Sequence, residues 1–418
     1  MFSHLRTALF IATAFACSLA HAQEATEPIS PLRLTGFGTL GLAHADVSQP
    51  WDFRRDGSQP HNDGGTRADT DSLLGLQANY EVNPQFELVG QIQLKRRVAS
   101  STPLDSLEWA FASYRPAPDL TVRVGRTSPD IFLLSDYRSV GFAYPWVRPD
   151  VDTYGLLPIF SVDGADITKV WNIGDVRWRG KVFAGQGQTR APGAEGQPDL
   201  DFKFTQLLGG MVSRESDGWL LRATLGRLRG GLGAADWKTG LRQALAQVQQ
   251  LPIPQVAEEA QQLSDGIDPD RAILTYFALG TSYEHADWLF SAEAVRLSSK
   301  LSYASANTGY VSVGRRLGAF TVFGMIGAAR SLRDAPTQPQ WAAILTPVVG
   351  PAAAQASGSR VDQGSLSLGM RWDFHPQVAL KLQWDHFVVR SNGSLLWGND
   401  STEPAHANVA SVTLDFVF

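Results

Sequence analysis

Val409-Ala410-Ser411-Val412-Thr413-Leu414-Asp415-Phe416-Val417-Phe418 is the stretch that decides the fold. Ala410, Val412, Leu414, Phe416 and Phe418 fall on one side of an extended segment, and Val409, Ser411, Thr413, Asp415 and Val417 on the other. A period of two describes a strand with one apolar face and one wetter face. The pattern recurs upstream. Val176, Trp178, Gly180, Val182 and Ala184 alternate with Arg177, Arg179, Lys181 and Phe183. Leu366, Leu368, Met370 and Trp372 alternate with Ser367, Gly369, Arg371 and Asp373, and Leu380, Leu382 and Trp384 with Lys381, Gln383 and Asp385. One such segment shows only half burial, so the number of segments and their connections carry the weight.

Sixteen segments read this way. They lie near 32–44, 72–82, 85–95, 106–116, 120–126, 161–171, 176–186 and 202–214, then 219–229, 272–284, 288–298, 308–316, 320–330, 365–373, 378–390 and 408–418, with 161–171 and 308–316 the weakest. Their connections alternate in length. Tight turns fall at Asn83-Pro84, Pro116 to Asp119, Asn172 to Asp175, Glu215 to Gly218, His285 to Asp287, Leu317-Gly318 and His375-Pro376, all rich in turn-forming residues. Between them run longer connections at 45–71, 96–105, 127–160, 187–201, 230–271, 299–307, 331–364 and 391–407. Short turns at one end and long loops at the other define an all-β, 16-stranded antiparallel transmembrane β-barrel, with short periplasmic turns and long extracellular loops. Tyr80, Phe86, Trp219, Tyr283, Trp288, Phe320, Trp372 and Phe418 sit on the apolar parity beside the short turns, the place of an interfacial aromatic girdle.

Arg6, the apolar run Leu9 to Ala20 and Ala20-His21-Ala22 have the order of a signal peptide, cleaved after Ala22 so that one barrel domain spans 23–418. A competing reading takes Ala14-Phe15-Ala16-Cys17 as a lipoprotein box, although its first positions lack the usual Leu. Removing residues 1–22 takes away Arg6 and no acid, and so moves the net charge from −5 to −6. That balance, without a basic tail, argues against a nucleic-acid partner. Cys17 is the sole cysteine and leaves with the signal, which excludes disulfides and cysteine–zinc sites from the mature chain. No stretch of 18 apolar residues follows residue 22, so a spanning helix is not expected. In 230–271, Leu241, Leu245 and Val248, then Val256, Ala260 and Leu263, repeat at helical spacing around Pro252 and Pro254, predicting two short amphipathic helices at the barrel mouth.

The signal peptide, the opening Leu34-Thr35-Gly36-Phe37-Gly38, the strand count and the terminal Phe418 together resemble a Gram-negative outer-membrane porin, or a member of the wider porin-like superfamily. The resemblance implies passive diffusion of small hydrophilic solutes or ions without a cofactor, a homotrimer in outer-membrane lipid, and Phe418 as the signal read by the outer-membrane assembly machinery. It also implies that the third long loop, 127–160, folds into the pore. This loop holds Asp130, Asp136, Arg138, Tyr144, Trp146, Arg148, Asp150 and Asp152, but departs from the acidic motif of general porins. Its Tyr144-Pro145-Trp146-Val147-Arg148-Pro149 resembles a less-characterised porin-like branch.

If the apolar parity faces lipid, the other parity lines the lumen. That places Arg123, Arg177, Arg179, Lys181, Arg222, Arg371 and Lys381 on a basic wall, with Glu87, Glu108, Asp373, Asp385 and Asp415 as lumen acids. The expectation is a transverse field between this wall and the acidic loop, the alternative being charges that pair locally. Tyr144 and Trp146 are candidates either for a stacking platform or for anchors of the loop. A substrate-selective channel is the second functional reading. A rim hydrolase is the third, but His386 has no neighbouring serine, and His44, His61 and His406 are scattered. There is no phosphate loop, dinucleotide fingerprint or metal-binding histidine pair. A plugged active transporter would need a large domain before the first strand, where only Gln23 to Pro31 stand.

Overall fold

The computed structural model describes residues 30–47, 51–98, 103–192, 199–232, 243–267, 273–299, 305–332, 360–397 and 403–418. The signal segment, Leu241 and the Ala- and Pro-rich tract 335–357 lie outside them. The strands are β1 (Leu32–Ala45), β2 (Gly65–Arg67), β3 (Leu73–Asn83), β4 (Phe86–Lys95), β5 (Leu107–Ala117), β6 (Leu120–Thr127), β7 (Val162–Ile173), β8 (Val176–Ala191) and β9 (Leu200–Ser216). They continue as β10 (Trp219–Leu232), β11 (Ile273–His285), β12 (Trp288–Ser299), β13 (Ala306–Leu317), β14 (Phe320–Ser331), β15 (Val361–His375), β16 (Val378–Ser394) and β17 (Ala405–Val417). All 17 join one antiparallel sheet. The three-residue β2 lies in the first loop, so sixteen strands form the wall.

The sheet closes on itself. β1 pairs with β3 on one side and with β17 on the other, in the register Leu40↔Leu414. Beyond the last paired strand residue, Gly36 N–H donates to the Phe418 carbonyl at 2.9 Å and Phe418 N–H donates back at 3.0 Å. A closed barrel leaves no unpaired edge, the only way a sheet satisfies its backbone in hydrocarbon. All seven expected tight turns are present. At Asp217-Gly218 both residues have positive φ, 51° and 78°, the twist that suits a two-residue hairpin.

Two expected loops prove partly to be sheet. β8 runs to Ala191 and β9 begins at Leu200, so 187–191 and 200–201 of the expected loop are strand. Gln186-Gly187-Gln188-Thr189 has no apolar parity, and the register shifts between Gly185 and Gly187, so the two-residue period is lost. β16 likewise extends to Ser394. In the longest loop, helices occupy 243–248 and Pro254–Ile267, with Leu245, Val248, Val256 and Ala260 buried between them.

Side chains sort as a membrane barrel requires. Leu34, Leu40, Val182, Leu225 and Ile326 are exposed outward, whereas Lys181, Lys381 and Asp415 on the opposite parity are 0–2 % exposed. A charge turned to mid-bilayer would cost about 2–4 kcal/mol, which enforces this sorting. Near the short turns the outward aromatics touch: Trp219 and Tyr283 at 4.5 Å between centroids, Phe320 and Trp372 at 5.8 Å. No described helix is long and apolar enough to cross a membrane.

The interior departs from a uniformly wet lumen. Phe183, Phe204, Tyr276, Val295, Tyr310 and Phe323 point inward and join a buried apolar cluster with Ile131, Phe132, Leu133 and Leu134 of the third long loop. A second cluster gathers Phe53, Phe387, Val389 and Trp397 near the long-loop end.

The seam generates the first prediction. The Phe418 ring lies over Gly36, where an added Cβ would come within 2.3 Å of it. Gly36→Val therefore overpacks the seam and lowers the unfolding free energy by about 1–3 kcal/mol, with partial recovery in Gly36→Val/Phe418→Ala, measured as the denaturant midpoint for loss of the folded barrel.

Candidate functional site

Thr127 ends β6 and Val162 starts β7, and the intervening chain turns into the barrel. Pro145 and Pro149 stiffen it, and Asp150 caps a one-turn helix, Val151–Tyr154, by accepting from Thr153 N–H at 2.8 Å. Four clusters of contacts hold it to the wall.

Asp130, fully buried, meets Lys181 Nζ at 3.1 Å, Arg222 at 3.4 Å and Arg179 at 3.8 Å. Arg222 also donates to the Asp130 and Leu133 carbonyls at 3.1 and 3.3 Å. Burial alone would raise the Asp130 pKa, but the Lys181, Arg222 and Arg179 cations outweigh it and hold the carboxyl below its ordinary value. Beside this group Arg123 pairs with Asp166 at 2.8 Å, and Asp136 stands 3.8 Å from Arg179.

Next along the loop, Lys381 Nζ donates to the Gly141 and Trp146 carbonyls at 2.5 and 2.7 Å and pairs with Asp415 at 3.1 Å. Arg371 donates to the Phe142 and Tyr144 carbonyls at 2.6 and 3.1 Å. Trp146 Nε1–H donates to Ser312 Oγ at 2.7 Å, and the Trp146 ring stacks on Tyr144 at 5.6 Å. Both aromatics are 4 % exposed, so they anchor the loop to the wall.

Arg148 is the deepest fastening. It grips Asp71 through Nε and Nη2 at 2.8 and 2.6 Å, donates to Asp385 at 2.7 Å and to Ser411 at 2.5 Å, and is 1 % exposed. A planar fork between two carboxylates suits arginine and no other cation.

The last cluster is the one-turn helix. Asp152 accepts from Gln363 and, at 2.6 Å, from Ser365, while Tyr154 O–H donates to Glu293 at 2.6 Å. Leu133 N–H donates to the other Glu293 oxygen at 2.9 Å. Burial raises the Asp150 pKa well above its ordinary value, and the charge of Asp152 pushes it further; Asp152 is raised by burial too. Arg148 does not relieve them, since Asp71 and Asp385 engage it.

The anticipated wall and loop charges therefore meet in contact, not across an opening. Arg177 stands apart, exposed near the short turn Gly174-Asp175. Arg138 donates to the Ile159 carbonyl at 2.9 Å and lies 3.7 Å from the Phe160 ring centroid, and burial lowers its pKa to about 10. Lys95 covers the same ring at 3.2 Å and pairs with Glu108 at 3.3 Å. Asp71, Glu293, Arg55, Lys95 and Phe160 were absent from the sequence-derived site. Glu293 and Lys95 were legible as charges on the inward parity of β12 and β4, but Asp71 and Arg55 sit in an aperiodic loop.

Space remains on both sides of the loop. A vestibule of about 710 Å³ opens at the short-turn end, bordered by Tyr144, Trp146, Arg316, Arg371 and Asp373. A cleft of about 540 Å³ opens at the long-loop rim beside Arg97, Glu108, Phe160 and Phe204. Adjoining the rim cleft at Phe160, a small gap of about 20 Å³ is lined by Arg55, Asp56, Lys95 and Arg138. At the outer rim His386 stacks with Trp384 and His406 at 5.9 Å and hydrogen-bonds Asn408 at 2.9 Å.

No protein-family model and no curated protein sequence matches the chain. Solved structures do. The outer membrane channel DcaP of Acinetobacter baumannii superposes with a TM-score of 0.54 at 14 % identity, covering 93 % of this chain and 97 % of that one. OmpF of Salmonella typhi, in complex with daunomycin, gives 0.53 at 12 %, covering 93 % and 97 %. An anion-selective porin from Comamonas acidovorans gives 0.52 at 11 %, covering 93 % and 99 %. The fold is that of the outer-membrane porins.

Two predictions follow from the fastenings. Arg148→Met leaves Asp71 and Asp385 buried without their cation and destabilises the protein by about 3–5 kcal/mol, read as a drop in the unfolding midpoint with faster proteolysis in 128–161. The pH dependence has a definite sign. Asp150 has a folded pKa above its unfolded one, so its contribution is present below the unfolded value and lost as pH rises through the folded value. Hydrogen exchange of 150–154 should accelerate with pH beyond its intrinsic rise, and Asp150→Asn, which keeps the cap acceptor, should flatten that excess.

Proposed function

We propose that the chain is an outer-membrane channel for passive diffusion of small hydrophilic solutes or ions, exported by a signal peptide cleaved after Ala22 and assembled as a homotrimer. The observation that carries this reading is the pair of open spaces on either side of an inward loop within a closed barrel whose outside is apolar. On this reading solutes pass between the loop and the wall of β4, through the gap at Arg55, Lys95 and Arg138. Arg55, Lys95 and Arg138 stand there against Asp56 and the Glu108 that pairs with Lys95, a net positive charge that favours anions. Lys181, Arg222 and Arg371 then serve chiefly as fastenings of the loop, and Arg179 and Arg123 support them. Phe418, exposed at the seam, is the residue the assembly machinery would read.

The narrowness of that gap favours a second reading, a substrate-selective channel, whose mark is block of the current by one solute class at saturating concentration. Single-channel recording of the purified full-length protein in planar bilayers tests both. Discrete conductance steps are expected, with a reversal potential in a salt gradient that reports anion preference. Arg55→Gln/Lys95→Gln should shift that potential toward cations, while Arg177→Gln should leave it unchanged. Folded protein in the bilayer without conductance overturns the reading.

A further inference from the structure

The lipid-facing side of the barrel carries a charge pattern that the channel reading does not use. Register places Arg296 of β12, Asn307 of β13, Arg330 of β14 and Asp362 of β15 in one continuous cross-strand row. Arg390 of β16 extends the row by donating to Asp362 at 2.7 Å. Each lies on the parity of outward apolar residues: Arg330 follows Ile326 and Arg390 follows Trp384 on the same faces. The Arg330 and Arg390 side chains are 78 % and 63 % exposed, and Arg227 and Arg229 of β10 are exposed outward at the same end.

Height decides what this surface meets. Counted from the short-turn ends of their strands at Trp288, Phe320 and Val378, Arg296, Arg330 and Arg390 stand eight, ten and twelve residues up. At about 3.3 Å per residue and a tilt of about 35–45°, that is roughly 20–30 Å above the turns, the upper limit of an apolar band about 25 Å tall. Arginine is costly at mid-bilayer and nearly neutral at the interface, and its fork matches phosphate oxygens two at a time. The opposite arc differs. On β3 and β4 the outward positions remain apolar to the top, at Leu76, Ile92 and Leu94. On β6 and β7 the outward Arg126 is matched one to one by Asp163 at 2.7 Å, whereas on the β14–β16 arc a single carboxylate, Asp362, faces both Arg390 and, at 3.8 Å, Arg330, which leaves an excess of positive charge.

We propose that the outward face of β10–β16 at the long-loop end is a docking surface for phosphorylated headgroups of outer-leaflet lipid. This rests on the membrane placement proposed above, but not on conduction. Spacing supports it: neighbouring strands are about 4.8 Å apart, so cations on alternate strands stand about 10 Å apart, a separation that one headgroup bearing two phosphates can span.

The test uses purified full-length protein in neutral detergent micelles doped with lipid A, which carries two phosphates, or with its dephosphorylated form. Retained lipid is counted by native mass spectrometry. Wild type should retain the phosphorylated lipid over the dephosphorylated one, and Arg296→Gln/Arg330→Gln/Arg390→Gln should lose about tenfold or more of that retention. Arg315→Gln, outward beside Trp288 near the short turns, should not. Equal retention of the two lipids, or by the triple variant, overturns the proposal. So does displacement by inorganic phosphate at matching concentration, which would indicate a site for free anions. If the triple variant does not fold, judged by its heat-shifted mobility, Arg296→Gln alone must still weaken retention or the proposal fails. Conductance recorded on the same preparation separates this outcome from the channel reading.

Discussion

A peptide group in hydrocarbon has no water to turn to, and the barrel is organised around that constraint. Every wall strand finds partners on both sides, and the seam between β1 and β17 completes the circuit. Once the sheet is closed, the two-residue period of the side chains acquires a fixed meaning, with lipid on one side and the interior on the other. Outward Leu40 and Val182, and inward Lys181 and Lys381, are two expressions of the same geometry.

The interior is then free to become a second, smaller folding problem. A loop of 34 residues, 128–161, enters a cylinder already lined with charge, and its own carbonyls become the ligands of that charge. Lys381 and Arg371 each hold two loop carbonyls, and Arg222 holds two more. Cation–carbonyl contacts of this kind fix the path of a segment that has almost no regular structure. The carboxylates behave unequally within it. Asp130 is surrounded by cations, whereas Asp150 accepts from a backbone N–H and Asp152 from an amide and a hydroxyl, so the 150–154 turn is held by hydrogen bonds while Asp130 and the neighbouring Arg148 are held by ion pairs.

The wall was legible because its signal is local and repeated. Strands such as Ala405–Val417 and Val176–Ala191 announce themselves by alternation, and the turns by Gly, Asp or Pro. The boundary failures have a physical origin too: Gln186 to Thr189 is strand by hydrogen bonding, yet neither face is apolar. The site was legible only as composition. Parity identified Lys181, Arg222 and Arg371 as inward, but nothing in the sequence says that they would touch loop carbonyls. Asp71 and Arg148 are 77 positions apart, and their contact depends on the tertiary path. Arg177 shows the limit of parity, which gives the face but not the depth. The inward parity was assigned to a charged lumen, and the packing of Val295, Leu297 and Phe323 with the loop was not foreseen, because parity does not say what fills the space a face looks into.

The seam has a kinetic consequence. Gly36 and Phe418 bond each other across almost the whole length of the chain, so the first wall strand cannot find its second neighbour until the last one has been made. Any earlier intermediate is an open sheet with two sticky margins, and contacts of such separation form slowly. Growth by one strand at a time would therefore leave both margins unsatisfied until β17 meets β1, which makes ring closure the committing event of assembly and ties the birth of the inner compartment to the pairing of a single strand.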